Sequence, residues 1–110
     1  MQVNTSELEN KTLFAIEGRI DATTAGDLEK EILAKAQEAA GAVLVDFSEV
    51  EYISSAGLRS MLKLAKLCSS KKLPLRLFGM RPNVFEVFSV SGFAGIIRIN
   101  SDLNEALSGL

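Results

Sequence analysis

A chain of 110 residues, 47% apolar and 24% charged, has the size and balance of one globular domain that buries a core without metal or disulfide. Its formal charge of −2 argues against a general nucleic-acid binder, which needs a clustered excess of Lys and Arg. The absence of histidine rules out a Ser-His triad and a His-ligated metal, and the lone Cys68 rules out an internal disulfide and a thiolate zinc site.

In chain order, Gln2 to Leu8 reads as a weakly patterned strand, and Glu9-Asn10-Lys11 has the character of a turn. Leu13 to Ile20 is a second strand with Phe14, Ile16 and Ile20 at even spacing, so the start of the chain is expected to form a hairpin. After Asp21, the pair Thr23-Thr24 offers N-caps for a helix whose face is Ala25, Leu28, Ile32, Ala36 and Ala39, with Gly41 as its stop. Ala42-Val43-Leu44-Val45 is apolar without alternation, as suits a central strand covered on both faces, and Asp46 is expected at its end.

The helix that follows places Leu58, Met61, Leu62, Ala65 and Cys68 on one stripe, where Cys68 is a small buried thiol. At 100° per residue, Ser60, Leu64, Leu67 and Lys71 share a flank away from Leu58 and Ala65, while Arg59, Lys63 and Lys66 line the opposite flank. Pro74 marks the edge of the strand Leu75 to Phe78, and Pro82 the first turn of a helix that buries Val84, Phe85, Val87 and Phe88 before Gly92. Ile96 to Ile99 is a strand, and Asp102 to Leu107 a short helix. The order β-β-α-β-α-β-α-β-α predicts a single α/β domain over residues 1–110 with a mixed, mostly parallel sheet flanked by helices.

The segment Ser54-Ser55-Ala56-Gly57-Leu58 puts two hydroxyls at the start of a helix. A helix N-terminus carries unpaired N–H groups and the positive end of the macrodipole, so a serine there serves as a cap or as a place to hold a phosphate. No glycine-rich nucleotide loop is present, and no cofactor is expected.

Three stretches resemble the STAS family, in particular the bacterial anti-sigma-factor antagonists. They are Gly18-Arg19-Ile20-Asp21; then Asp46-Phe47-Ser48, Tyr52-Ile53 and Ser54-Ser55-Ala56-Gly57-Leu58; and Val87-Phe88-Ser89-Val90-Ser91-Gly92-Phe93. They stand in the family's order with no large insertion. Aligned on Gly57-Leu58, the family's phosphorylated serine falls on Ser55, with Ser54, which stands where many members carry aspartate, as the alternative acceptor.

The resemblance implies a binder and substrate rather than an enzyme. Its partners would be an anti-sigma factor that is also a serine kinase of the histidine-kinase-like ATPase fold, and a serine phosphatase. The partner surface is expected to comprise Asp21, Asp46, Ser54, Ser55, Ala56, Gly57, Arg59, Ser60, Lys63, Leu64 and Leu67. A constitutive STAS adaptor of a lipid-transport ATP-binding-cassette complex, needing no serine switch, is the alternative. No run reaches the roughly 20 apolar residues of a membrane helix, and no export signal opens the chain, so a cytoplasmic protein not integral to a membrane is expected.

Overall fold

A computed structural model describes all residues, 1–110. The elements run β1 (Gln2–Leu8), β2 (Lys11–Ile20), α1 (Ala25–Gln37), β3 (Val43–Ile53), α2 (Ser55–Ser70), β4 (Leu75–Phe78), α3 (Pro82–Val90), a 3-10 turn (Phe93–Gly95), β5 (Arg98–Asn100) and α4 (Leu103–Leu107). They build one five-stranded sheet in the order β1-β2-β3-β4-β5, antiparallel between β1 and β2 and parallel thereafter. The hairpin, the mostly parallel sheet and the central position of Val43 to Val45 agree with the sequence expectation.

Parallel crossovers that advance across a sheet in one direction with one handedness stack their helices on the same face. Accordingly Leu28 and Ile32 of α1, Met61 and Leu64 of α2, and Val84 and Phe88 of α3 join Phe14, Ile16, Val43, Val45 and Phe47 in one core cluster. Phe47 and Phe88 meet edge to face, with ring centroids 5.8 Å apart. The opposite face carries a smaller cluster of Leu44 and Phe78 roofed by Ala106, Leu103 and Leu107 of α4.

Local expectations were corrected at several places. Thr24 is the N-cap of α1 but makes no capping bond with its side chain; its hydroxyl accepts from Asp21 N–H and donates to the Arg19 carbonyl, both at 2.9 Å. The acid does the local work instead, since Asp21 Oδ1 accepts the Thr23 amide at 2.9 Å and the Thr23 hydroxyl at 2.7 Å. Helix α1 ends at Gln37 without help from Gly41, where a Cβ would sit 2.3 Å from the Asn10 carbonyl oxygen; glycine is required there for close approach, not as a helix stop. In α3, Phe85 is exposed and not buried, and the last strand is Arg98–Asn100, with Ile96 turned to solvent.

Two corrections bear on the predicted site. Strand β3 runs on to Ile53, so Asp46 stands in its middle, paired with Ala15 on one side and Phe78 on the other. The extension is accommodated by register shifts against β2 between Ala15 and Glu17 and between Gly18 and Arg19, where β3 carries extra residues. Ser60 and Leu64 are buried, 1% and 0% exposed, and do not form an outer flank. The cause is that α2 has α1 for a neighbour as well as the sheet: Ser60 Oγ donates within reach of the Ala25 carbonyl (3.3 Å) and Glu29 Oε1 (3.2 Å) of α1. Leu67, on the same flank, is half-buried against the core, whereas Arg59, Lys63 and Lys66 face solvent.

Candidate functional site

The parallel strands β2 and β3 end side by side, Ile20 opposite Ile53, and Ser54 N–H donates to the Ile20 carbonyl at 2.8 Å. That bond closes the sheet and turns the chain into α2. Ser54 is the N-cap, with extended φ and ψ of −96° and 175°; its Oγ accepts from Gly57 N–H at 3.4 Å and its carbonyl from Leu58 N–H at 3.0 Å. Ser55 follows as the first helical residue, exposed, with its hydroxyl in no hydrogen bond. One serine is consumed by the fold and the other is presented to solvent at the positive end of a helix of 16 residues.

Gly57 holds this turn down. A Cβ there would lie 2.7 Å from both Ile20 Cγ2 and Ile53 Cγ1, so only glycine lets the first turn of α2 rest on the strand ends. Gly57 is buried and therefore positions the site without touching a partner, a correction to its expected place on the partner surface. Ala56 is half-exposed beside it.

Asp21, at the end of β2, lies across the Ile20–Ser54 bond from the serines. The Thr23 hydroxyl and amide, with smaller help from Thr24, hold its carboxyl below the usual carboxylate range. It is half-exposed on the same end of the sheet as Ser55. Asp46 is not brought there: its carboxylate accepts Ser48 N–H at 2.8 Å, and extended chain at ~3.3 Å per residue puts it roughly 20 Å from the end of β3. Asp46 therefore stands away from its expected place beside the serine turn, and its carboxylate satisfies local backbone within β3.

On the outer side of Ser55 the structure adds a feature that the sequence reading missed. Ser55 and Leu58 of α2, Asn83, Glu86, Val87 and Val90 of α3, and Ser91 line an open groove of about 440 Å³. Val90 is 81% exposed, and Val87 is half-buried. Asn83 fixes the geometry by donating from Nδ2 to the Glu51 carbonyl at 2.9 Å, which ties the start of α3 to β3 just before the serine turn. Arg81 adds a second tie through Ser48 O (3.3 Å) and Glu49 Oε2 (3.5 Å). The signal in the sequence was the excess of apolar positions in α3: Val84, Phe85, Val87, Phe88 and Val90 are more than one face of a nine-residue helix can bury.

The exposed cations of α2 complete the site. Lys63 Nζ pairs with Glu29 Oε2 at 3.0 Å, and Lys63 together with the Ser60 hydroxyl lowers the Glu29 carboxyl pKa. The other ion pairs of the chain are Lys11 with Glu9 and Arg81 with Glu49, so Arg59 and Lys66 stand free. Cys68 lies on the buried face of α2, and burial pushes its thiol up to about 11.

A sheet in chain order, three helices packed on one face and an exposed serine at the turn from the central strand define the STAS class of domain. A STAS domain family model matches residues 2–106, and the chain belongs to that family. It is 31% identical over 99 residues to BtrV of Bordetella bronchiseptica, provisionally named an anti-sigma factor antagonist, covering 90% of this chain and 85% of that one. The anti-sigma-B factor antagonist of Listeria monocytogenes is 36% identical over 87 residues, covering 78% of this chain and 75% of that protein. The crystal structure of a provisionally named anti-sigma factor antagonist from Thermotoga maritima superposes with a TM-score of 0.89 at 18% identity, over 96% of this chain and 91% of that one. No helix of the fold is long and apolar enough to cross a membrane.

Proposed function

We propose that the protein is an anti-sigma-factor antagonist that works by partner switching. Unmodified, it binds an anti-sigma factor that is also a serine kinase of the histidine-kinase-like ATPase fold; phosphorylation of Ser55 ends that complex, and a serine phosphatase restores it. The protein acts as binder and substrate in the cytoplasm, and ATP belongs to the kinase. The names of its curated relatives support the class of function. The observation that carries the switch is the division of labour at the turn, where Ser54 Oγ accepts from Gly57 N–H while Ser55 Oγ is exposed and unbonded.

A phosphoserine adds about −1.5 to −2 charge, and at this position the helix dipole accepts it without unfolding the domain. The same charge is costly in an interface closed over the turn, so one covalent step separates a stable domain from its partner. Incubation with the cognate kinase and ATP, followed by phosphopeptide sequencing, tests this. One phosphate on Ser55, abolished by Ser55→Ala and retained in Ser54→Ala, is the expected result. Phosphate on Ser54 would move the switch by one residue. No phosphate on either serine, with an active kinase bound, would replace the switch with the constitutive adaptor of a transport complex.

A further inference from the structure

We infer that the cleft between the C-terminal ends of β4 and β5 binds a small, neutral aromatic molecule carrying an N–H donor, and that the Asn100 side chain accepts that hydrogen bond. The site is separate from the serine turn and stands or falls independently of the switch.

Topology singles out this end of the sheet. Helices α1, α2 and α3 pack on one face, so the chains leaving β2, β3 and β4 all turn the same way, whereas α4 lies on the opposite face. Strands β4 and β5 are parallel neighbours with Phe78 opposite Asn100, and Gly79 N–H donates to the Asn100 carbonyl at 3.3 Å. Beyond that bond the two chains part, one through Met80 to α3 and the other through Ser101 to α4. In open α/β sheets, adjacent connections that leave the carboxyl ends for opposite faces open a crevice between them, and ligands bind there. No other parallel pair of this fold has such a parting.

The side chains at the parting set the chemistry. Met80, Phe85, Ile99, Asn100 and Ser101 line a pocket of about 380 Å³, at the lower end of the ~300–1,000 Å³ usual for small-molecule sites. Phe85 is 44% exposed, and its ring, together with the Met80 thioether, favours an aromatic guest through ring–ring and sulfur–ring contacts. No charged side chain lines the pocket, so an ionised guest would lose water there and find no counter-charge.

Asn100 supplies the polar contact. Its Nδ2 donates to Glu105 Oε1 at 3.2 Å, and the same carboxylate oxygen accepts the Ser101 amide at 3.0 Å. Because a carboxylate only accepts, the nitrogen of the Asn100 amide is the atom held toward Glu105, and the oxygen points elsewhere. That Oδ1 is the one buried side-chain oxygen or nitrogen of the fold with no hydrogen-bond partner, a costly state for an acceptor. The residue as a whole is half-exposed and the terminal torsion of an asparagine is soft, so a small rotation of the amide brings the oxygen to the pocket. A guest N–H satisfies it, whereas a guest offering only acceptors leaves it unpaired.

Indole is the probe, being neutral and aromatic with a single N–H. Titrated into the isotope-labelled full chain and followed by NMR, it is expected to give saturable amide shifts confined to Gly79, Met80, Phe85, Ile99, Asn100 and Ser101, with a Kd on the order of 1 mM, as so small a guest allows. N-methylindole, which lacks the donor, is expected to bind about three- to ten-fold more weakly. Phe85→Ala removes an exposed ring and should weaken indole about five-fold while leaving the thermal melt as it was. Asn100→Leu should abolish the preference for indole over N-methylindole; if that variant does not fold, the preference of wild type and the loss in Phe85→Ala decide the matter. Indole shifts that are absent, do not saturate, or gather at Ser55 and Val90 overturn the site. Equal affinity of wild type for indole and N-methylindole overturns Asn100 as the acceptor and, with it, the class of ligand.

Discussion

Replacing Gly57 by alanine tests the packing that positions the serine turn. An added Cβ would lie 2.7 Å from Ile20 Cγ2 and from Ile53 Cγ1, and 3.2 Å from Ile53 Cδ1, whereas carbon contacts are comfortable at about 3.5–4.0 Å. Both isoleucines are fully packed, 0% and 2% exposed, so neither side chain swings away without disturbing the core, and α2 must rise. Overpacking of this kind costs ~1–3 kcal/mol, and the gain from replacing helical glycine, at most ~1 kcal/mol, offsets only part of it in a first turn. The net expectation is a loss of about 1–2 kcal/mol, which for a domain of this size lowers the melting temperature by roughly 5–15 °C.

Gly26 supplies the control. It also occupies the first turn of a helix, yet nothing lies within 4 Å of a Cβ built there, so Gly26→Ala should raise the melting temperature by a few degrees, ~0.5–1 kcal/mol. Circular-dichroism melts and urea titrations of the two variants read both signs directly. A Gly57→Ala protein as stable as wild type, or a pair that shifts in the same direction, would show that the strand ends do not constrain the turn.

Leu64→Ala should cost ~2–5 kcal/mol and Leu64→Asp should abolish cooperative unfolding, because a carboxylate would replace a fully buried leucine of the main core cluster; a Leu64→Asp protein with a native melt would return that residue to the surface. Asp21, whose folded carboxyl titrates below its ordinary 3.8, contributes stability that is present above that value and disappears as pH falls through the lower folded value. Asp21→Asn should therefore flatten the urea midpoint against pH below about pH 4 and run parallel to wild type in neutral buffer; identical slopes in acid would deny the Thr23 contacts any hold on the carboxylate.

Elements whose apolar period was unbroken were legible at once: β2 with Phe14, Ile16 and Ile20, the central Val43 to Val45, and α1 with Leu28, Ile32 and Ala36. The order of these periods carried the fold, and Ser55 at the start of α2 was readable from its place before Gly57. What misled were residues whose neighbours come from elsewhere in the chain. Ser60 looks polar and outward until the Ala25 carbonyl of α1 appears beside it, and Leu64 follows Ser60 round the same turn.

Asp46 was expected at the strand end, but shifts of register against β2 let β3 continue through the polar residues Ser48, Glu49 and Glu51 to Ile53. The groove could not be read at all, since Leu58 and Val90 are far apart in sequence and meet only because Asn83 ties α3 to the Glu51 carbonyl.

The sheet places its strands in the order in which they occur in the chain. As the polypeptide leaves the ribosome, each new strand therefore meets an edge that is already finished and has nothing to insert between. Domains are made from the N-terminus onward at ~5–20 residues per second, so the hairpin and α1 can be paired before the central strand has emerged, and β4 can join before β5 exists. Pairing at a ready edge keeps loop closures short, which favours rapid folding and limits the time that apolar strands such as Val43 to Val45 stay unpaired. The serine turn is completed midway through this growth, when α2 settles on the ends of β2 and β3. The groove comes later, once α3 has been made and Asn83 has found the Glu51 carbonyl. A chain halted between those events would display the acceptor hydroxyl before it had assembled the groove beside it.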